Sequence, residues 1–169
     1  AAVLRAKLTR LDQWTERRRS VAATYLEAFE GVDVVCPGIL EGTNPVWHLF
    51  VIRTKDRVGL QDQLTKKSIG TLVHYPVPPH MQPAYAELAI PADQLPLARQ
   101  LADEVLSLPI GPHLTQDMQM AVIDAVARIA ARWLRPAGCL AVEHDDSTSA
   151  STVGLLQRTG CFTSIEPHV

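Results

Sequence analysis

The densest set of chemically able side chains in this chain is His74-Tyr75-Pro76-Val77-Pro78-Pro79-His80. Two imidazoles and a phenol can donate and accept hydrogen bonds. The prolines fix the backbone around them, so little conformational freedom remains to be lost when a ligand docks. From the spacing, two readings stay open. The segment is either the edge of a ligand pocket, or a rigid surface turn whose His and Tyr satisfy backbone carbonyls.

Other candidates are weaker. Trp47-His48 falls within a strand-like run, where an imidazole more often hydrogen-bonds on a sheet face than holds a ligand. Glu143-His144-Asp145-Asp146 has the carboxylates for a hard cation, but a strand end running into helix-capping aspartates accounts for it more cheaply. No His-Glu-x-x-His element and no paired Cys-x-x-Cys occurs, so no metal site is expected. Glycine loops for phosphates and a Gly-x-Ser-x-Gly elbow are also missing. Arg17, Arg18 and Arg19 read as a solvated helix face rather than a phosphate site. Cys139, in an apolar run, reads as an inert buried thiol.

The elements that must position these groups follow from periodicity. Residues 1–30 repeat apolar side chains at helical spacing (Val3, Leu4, Leu8, Leu11, Ala22, Tyr25, Leu26, Phe29), with Gly31 where a C-terminal cap would stand. This predicts one long helix. Strands are expected over 32–36, 46–54 and 71–75, the second being rich in β-branched and aromatic residues. Helices are expected over 57–68, 81–89 and 94–106, and after Thr115, which can cap a helix carrying Met118, Val122, Val126, Ile129 and Trp133. Beyond the turn Arg135-Pro136-Ala137-Gly138, a strand (139–143), a helix (149–158) and a strand (162–166) are expected. The fold class is therefore α/β (α+β): a small mixed or antiparallel sheet covered by helices and preceded by a long connecting helix.

Composition narrows the function. The 169 residues are 47% hydrophobic and 20% charged, an ordinary globular balance, and can bury a sizeable core. A net charge of -2 argues against nucleic acid and against a polybasic membrane anchor. No run reaches the roughly 18 apolar residues of a spanning helix. Cys36, Cys139 and Cys161 are an odd number set far apart, which suits free thiols in a reducing, cytoplasmic setting. Ala1 already stands inside a helical pattern, with no signal-peptide layout, and the chain reads as a piece of something longer.

Several motifs carry a resemblance. They are Ala1-Ala2-Val3-Leu4-Arg5-Ala6-Lys7-Leu8 with Trp14-Thr15-Glu16-Arg17-Arg18, Trp47-His48-Leu49-Phe50-Val51, Ile69-Gly70-Thr71-Leu72-Val73-His74-Tyr75-Pro76-Val77-Pro78-Pro79-His80 with Gln82-Pro83-Ala84-Tyr85, and Leu106-Ser107-Leu108-Pro109-Ile110-Gly111-Pro112. In order and interval, residues 1 to about 130 resemble the C-terminal part of the sugar aminotransferases of the DegT/DnrJ/EryC1/StrS family. The resemblance implies the small domain of a fold-type I, pyridoxal-phosphate enzyme that passes an amino group from glutamate to a nucleotide-linked keto-sugar. It implies a homodimer, and it places His74 and Tyr75, with His80 as a further candidate, on the sugar side of the cleft. The family's cofactor forms a Schiff base with a lysine of the larger domain. Lys7, Lys55, Lys66 and Lys67 do not match that lysine's context. No catalytic or cofactor-binding residue is thus assigned to this chain, which is expected to be inactive alone.

From Arg132 through Asp146 and on to Phe162-Thr163, the tail resembles the C-terminal strand-helix-strand of release-factor glutamine methyltransferases. That family's cofactor loop and Asn-Pro-Pro-Tyr motif are missing, which excludes methyl transfer. The expected division is an aminotransferase-like part over 1–130 and an appendage over 131–169. The join near Ala127 to Trp133 reads as a fusion, a frameshift or truncation, or a recombination. The alternatives to an aminotransferase portion are a non-catalytic interaction or oligomerisation module and a methyltransferase remnant.

Overall fold

The structure, a computed structural model, describes residues 2–131. The elements expected over 139–166, Trp133, the Glu143–Asp146 cluster, Cys139 and Cys161 lie outside the described residues.

The N-terminal helical pattern divides into α1 (Ala2–Leu8) and α2 (Leu11–Ala28). The reading of a single helix fails at Thr9-Arg10, where a tight turn intervenes. The Thr9 hydroxyl donates to the Ala6 carbonyl at 2.8 Å and the Arg10 amide to Lys7 at 3.0 Å. Side-chain hydroxyls that bond back to the preceding turn compete with the regular helix ladder. Tertiary packing does not hold the two helices in line either, because α1 buries no residue: Val3, Leu4 and Leu8 are exposed despite their spacing. The long connecting helix is therefore α2 alone, which buries Val21, Ala22 and Tyr25. Gly31 follows it with φ +73°, a conformation that glycine adopts at little cost.

Among the described residues the sheet has two strands, β1 (Phe50–Arg53) and β2 (Val105–Leu108), paired antiparallel with Phe50 opposite Leu108 and Ile52 opposite Leu106. Single-residue bridges extend it at both edges, Val35 to Arg53 and Leu72 to Ser107. The spatial order is thus Val35, β1, β2, Leu72. The expected strands over 32–36 and 71–75 shrink to these bridges. The strand expected over 46–54 shortens to β1, because Trp47 takes φ +50° and cannot continue an extended run.

β2 was not foreseen. The apolar spacing from Gln94 predicts one helix to Leu106, but α4 (Pro96–Glu104) stops at Glu104 and the next four residues are extended. Leu106 and Leu108 enter the core only from the strand, so tertiary burial overrides the helical spacing.

Helices α3 (Arg57–Lys66) and α5 (Gln116–Ala131) cover the core, which gathers Tyr25, Phe29, Phe50, Ile52, Leu60, Leu64, Leu106, Leu108, Val122, Ile123, Val126 and Ile129. Both start as the sequence suggests. Asp56 accepts from the Gly59 amide at 2.9 Å, and Thr115 accepts from the Met118 amide at 3.2 Å. Met118 itself points to solvent. Two 3-10 turns, Pro79–Met81 and Pro83–Leu88, replace the short helix expected over 81–89. Three proline rings in 78–83 leave too few amides for a longer ladder.

The arginine run is also placed differently from the expectation. All three guanidinium-bearing residues are half-buried. Arg17 donates to the Leu114 carbonyl at 2.8 Å, and Arg19 donates to the Pro45 carbonyl at 3.2 Å and pairs with Glu16 at 3.4 Å. These side chains tie α2 to two loops rather than fanning into water.

Candidate functional site

Alternation along the ladder gives the sheet two faces. Phe50, Ile52, Leu106 and Leu108 supply the core face. Val51, Arg53, Val105 and Ser107 supply the other, with Val51 opposite Ser107 and Arg53 opposite Val105. On this second face Arg53 pairs with Glu104 at 3.2 Å.

The bridge at Leu72 brings the His-Tyr-Pro segment to this face. Leu72 and Ser107 exchange both backbone hydrogen bonds, at 2.8 and 3.2 Å. Two residues on, His74 Nδ1 shares a 2.9 Å hydrogen bond with the Ser107 hydroxyl. Tyr75 follows across a cis peptide, edge-on to the imidazole with ring centroids 5.7 Å apart, and is 71% exposed. The structure thus brings His74 and Tyr75 together, one half-buried and anchored, the other projecting.

His80 is held in another way. It is 9% exposed, with Nε2 3.5 Å from the Ala92 carbonyl and Nδ1 buried without a partner among the described residues. Gln82 donates to the Val77 carbonyl at 3.0 Å, closing the proline bend on itself. His48, set before β1 rather than within it, is exposed, and Trp47 packs on Phe50 with ring centroids 5.6 Å apart.

Two features of the surroundings were not visible to sequence reasoning. Ser107 carries no motif of its own, and only the strand assignment of 105–108 could have paired it with His74. A depression of about 550 Å³ lies elsewhere, lined by Lys55, Asp93, Arg99, Gln100, Asp103 and Glu104. None of the three expected site residues lines it. Its Glu104 is already engaged by Arg53 and by Gln100, which donates at 2.8 Å.

Among the described residues no group of three His, Cys, Asp or Glu side chains could hold a metal ion, and no helix is long and apolar enough to cross a membrane. Burial pushes the Cys36 thiol up to about 11, so it is protonated and a poor nucleophile near neutrality. Burial raises the Tyr25 phenol as well; its hydroxyl donates to the Pro109 carbonyl at 2.9 Å.

Comparison with known proteins gives this geometry its context. Residues 1–127 match the DegT/DnrJ/EryC1/StrS aminotransferase family. The chain belongs to that family. It is 49% identical over 133 residues to the dTDP-3-amino-3,4,6-trideoxy-alpha-D-glucose transaminase of Streptomyces venezuelae, covering 78% of this chain and 35% of that protein. It is 41% identical over 128 residues to the dTDP-3-amino-3,6-dideoxy-alpha-D-galactopyranose transaminase of Aneurinibacillus thermoaerophilus, covering 76% and 35%. The crystal structure of S. venezuelae DesV in complex with a ketimine intermediate superposes with a TM-score of 0.75 at 48% identity, covering 76% of this chain and 35% of that one. The chain therefore spans about a third of the length of these relatives, and its fold is that of the corresponding part of a sugar aminotransferase.

Proposed function

We propose that this chain is the C-terminal, small-domain portion of a pyridoxal-phosphate-dependent aminotransferase that moves an amino group from glutamate to a nucleotide-linked keto-sugar, with His74 and Tyr75 facing the sugar. The observation that carries the assignment of the two rings is their joint placement. A buried hydroxyl anchors His74 while the neighbouring phenol stands 71% exposed on a proline-stiffened bend. Names of the matched transaminases, both acting on dTDP-linked amino-sugars, support the substrate class. His80, closed in beneath the bend, would contribute by holding the loop's shape rather than by reaching far into a cleft.

The described residues do not fit pyridoxal phosphate as a covalent partner. A Schiff-base lysine works from a desolvated or charge-tuned pocket, whereas Lys7, Lys55, Lys66 and Lys67 are all exposed and Lys66 is paired with Asp62 at 2.6 Å. The amine chemistry is expected in polypeptide outside the third of the relatives' length that this chain spans. By itself the chain should not transaminate, and titration with pyridoxal phosphate should produce no lysine-dependent visible absorption band.

The direct test is calorimetric titration of the chain with dTDP-glucose. Binding that disappears in a His74→Ala, Tyr75→Ala double variant of unchanged circular dichroism supports the reading. Equal binding by the variant, or none by the wild type, overturns it.

A second reading, an association module, is favoured by the exposed Val3, Leu4, Leu8 and Leu11 of the first two helices. A homodimer, as the family resemblance implies, would cover such side chains in a cytoplasmic protein. Light scattering at high concentration decides it, since a strict monomer excludes self-association.

A further inference from the structure

Ser107 is 5% exposed, and His74 Nδ1, at 2.9 Å, is the one hydrogen-bond partner of its hydroxyl among the described residues. A serine hydroxyl can either donate to a ring nitrogen or accept from it. The two choices are not equivalent here. If Ser107 accepted, its own hydrogen would be left buried without an acceptor, which costs more than a typical hydrogen bond returns. If it donates, the hydroxyl is satisfied and Nδ1 serves as acceptor. The neutral imidazole then carries its proton on Nε2, which has no partner among the described residues. The Leu72–Ser107 bridge holds both backbones, at 2.8 and 3.2 Å, and so keeps His74, two residues beyond Leu72, in register with the serine on the same face.

We propose that Ser107 is a positioning residue that fixes His74 in the Nε2–H tautomer, so that the imidazole meets its ligand as a hydrogen-bond donor and selects an oxygen acceptor on the sugar. This rests on the reading of His74 as sugar-facing. In the opposite tautomer Nε2 would be an acceptor and would call instead for a ligand donor, so the serine decides which polarity of ligand atom the site recognises.

The test is a long-range proton–nitrogen correlation spectrum of the His74 ring in the full chain, in wild type and in Ser107→Ala and Ser107→Thr. Wild type and Ser107→Thr should show Nδ1 unprotonated and Nε2 protonated, whereas Ser107→Ala should relax toward a mixture. Affinity for dTDP-glucose should fall about 3- to 10-fold in Ser107→Ala, the scale of one misdirected hydrogen bond, and recover in Ser107→Thr. A wild-type ring protonated at Nδ1, or a pattern that Ser107→Ala leaves untouched, overturns the proposal. If the tautomer behaves as stated but dTDP-glucose leaves the His74 signals unmoved, the sugar-facing reading fails while the serine's control of the ring stands. Equal perturbation by dTDP alone assigns the acceptor to the diphosphate and overturns the sugar assignment.

Discussion

The eight residues of the two strands divide four and four between two faces of opposite character. One face presents Phe50, Ile52, Leu106 and Leu108, all buried among helices; the other presents Val51, Arg53, Val105 and Ser107, joined by His74. On the first face every side chain is apolar and interchangeable in kind, though not in volume. On the second a single hydroxyl and a single ion pair set the chemistry. A strand of period two lets the chain hold an apolar core face and a polar face at adjacent positions, and the proposed recognition role falls on the second without disturbing the first.

That contrast can be broken or sharpened by substitution. The largest effect is expected on the core face. Phe50 packs against Tyr25, Phe29 and Trp47, with centroids 5.1 to 6.5 Å apart. Phe50→Ala should cost about 3–5 kcal/mol in urea unfolding. A loss under about 1 kcal/mol would mean that the sheet is not the centre of the core.

Next comes Tyr25→Phe, which removes the hydrogen bond to the Pro109 carbonyl and should cost about 1–2 kcal/mol. The same substitution reports on pH. Burial raises the Tyr25 phenol in the folded state, so the folded chain keeps a proton that the unfolded chain loses above about pH 10. Stability is then full below that point and falls as pH climbs. Cys36, pushed up to about 11, acts with the same sign. The alkaline slope of the unfolding free energy should be shallower in Tyr25→Phe, and an unchanged slope would show that the phenol ionises without resistance.

Gly59→Ala should cost about 1 kcal/mol, because a Cβ there runs into the Asp56 carboxylate that caps α3. A melting temperature equal to wild type would show the cap to be dispensable. The smallest effect belongs to the second face: Tyr75→Ala should change stability by less than about 0.5 kcal/mol while weakening dTDP-glucose binding. A marked fall in stability would move Tyr75 from recognition into packing.

How much of this was legible beforehand depends on what each residue leans on. Local signals carried well. The helix from Arg57 starts where the spacing places it, Thr115 caps its helix as expected, and Gly31 takes the left-handed turn expected of it. The family resemblance over 1–130 agrees with the matched residues 1–127. What stayed hidden depends on distant partners. Leu106 reads as the end of a helix because its strand is defined only by β1, more than fifty residues earlier in the chain. Leu4 and Leu8 looked like core because spacing alone does not say whether anything lies opposite. Ser107 could not be tied to His74 until the sheet edge aligned them.

Among the described residues the sheet's outer rungs are each one residue wide, Val35 on one side and Leu72 on the other. Such short borders give a neighbouring molecule almost no template for strand addition, which guards against aggregation. They also free the flanking loops to be lengthened or exchanged without re-registering the ladder, and one of those loops is the bend that bears His74 and Tyr75. Under the proposed sugar-facing role of that bend, new segments grafted after Leu72 are the place to alter sugar preference with the scaffold left in place.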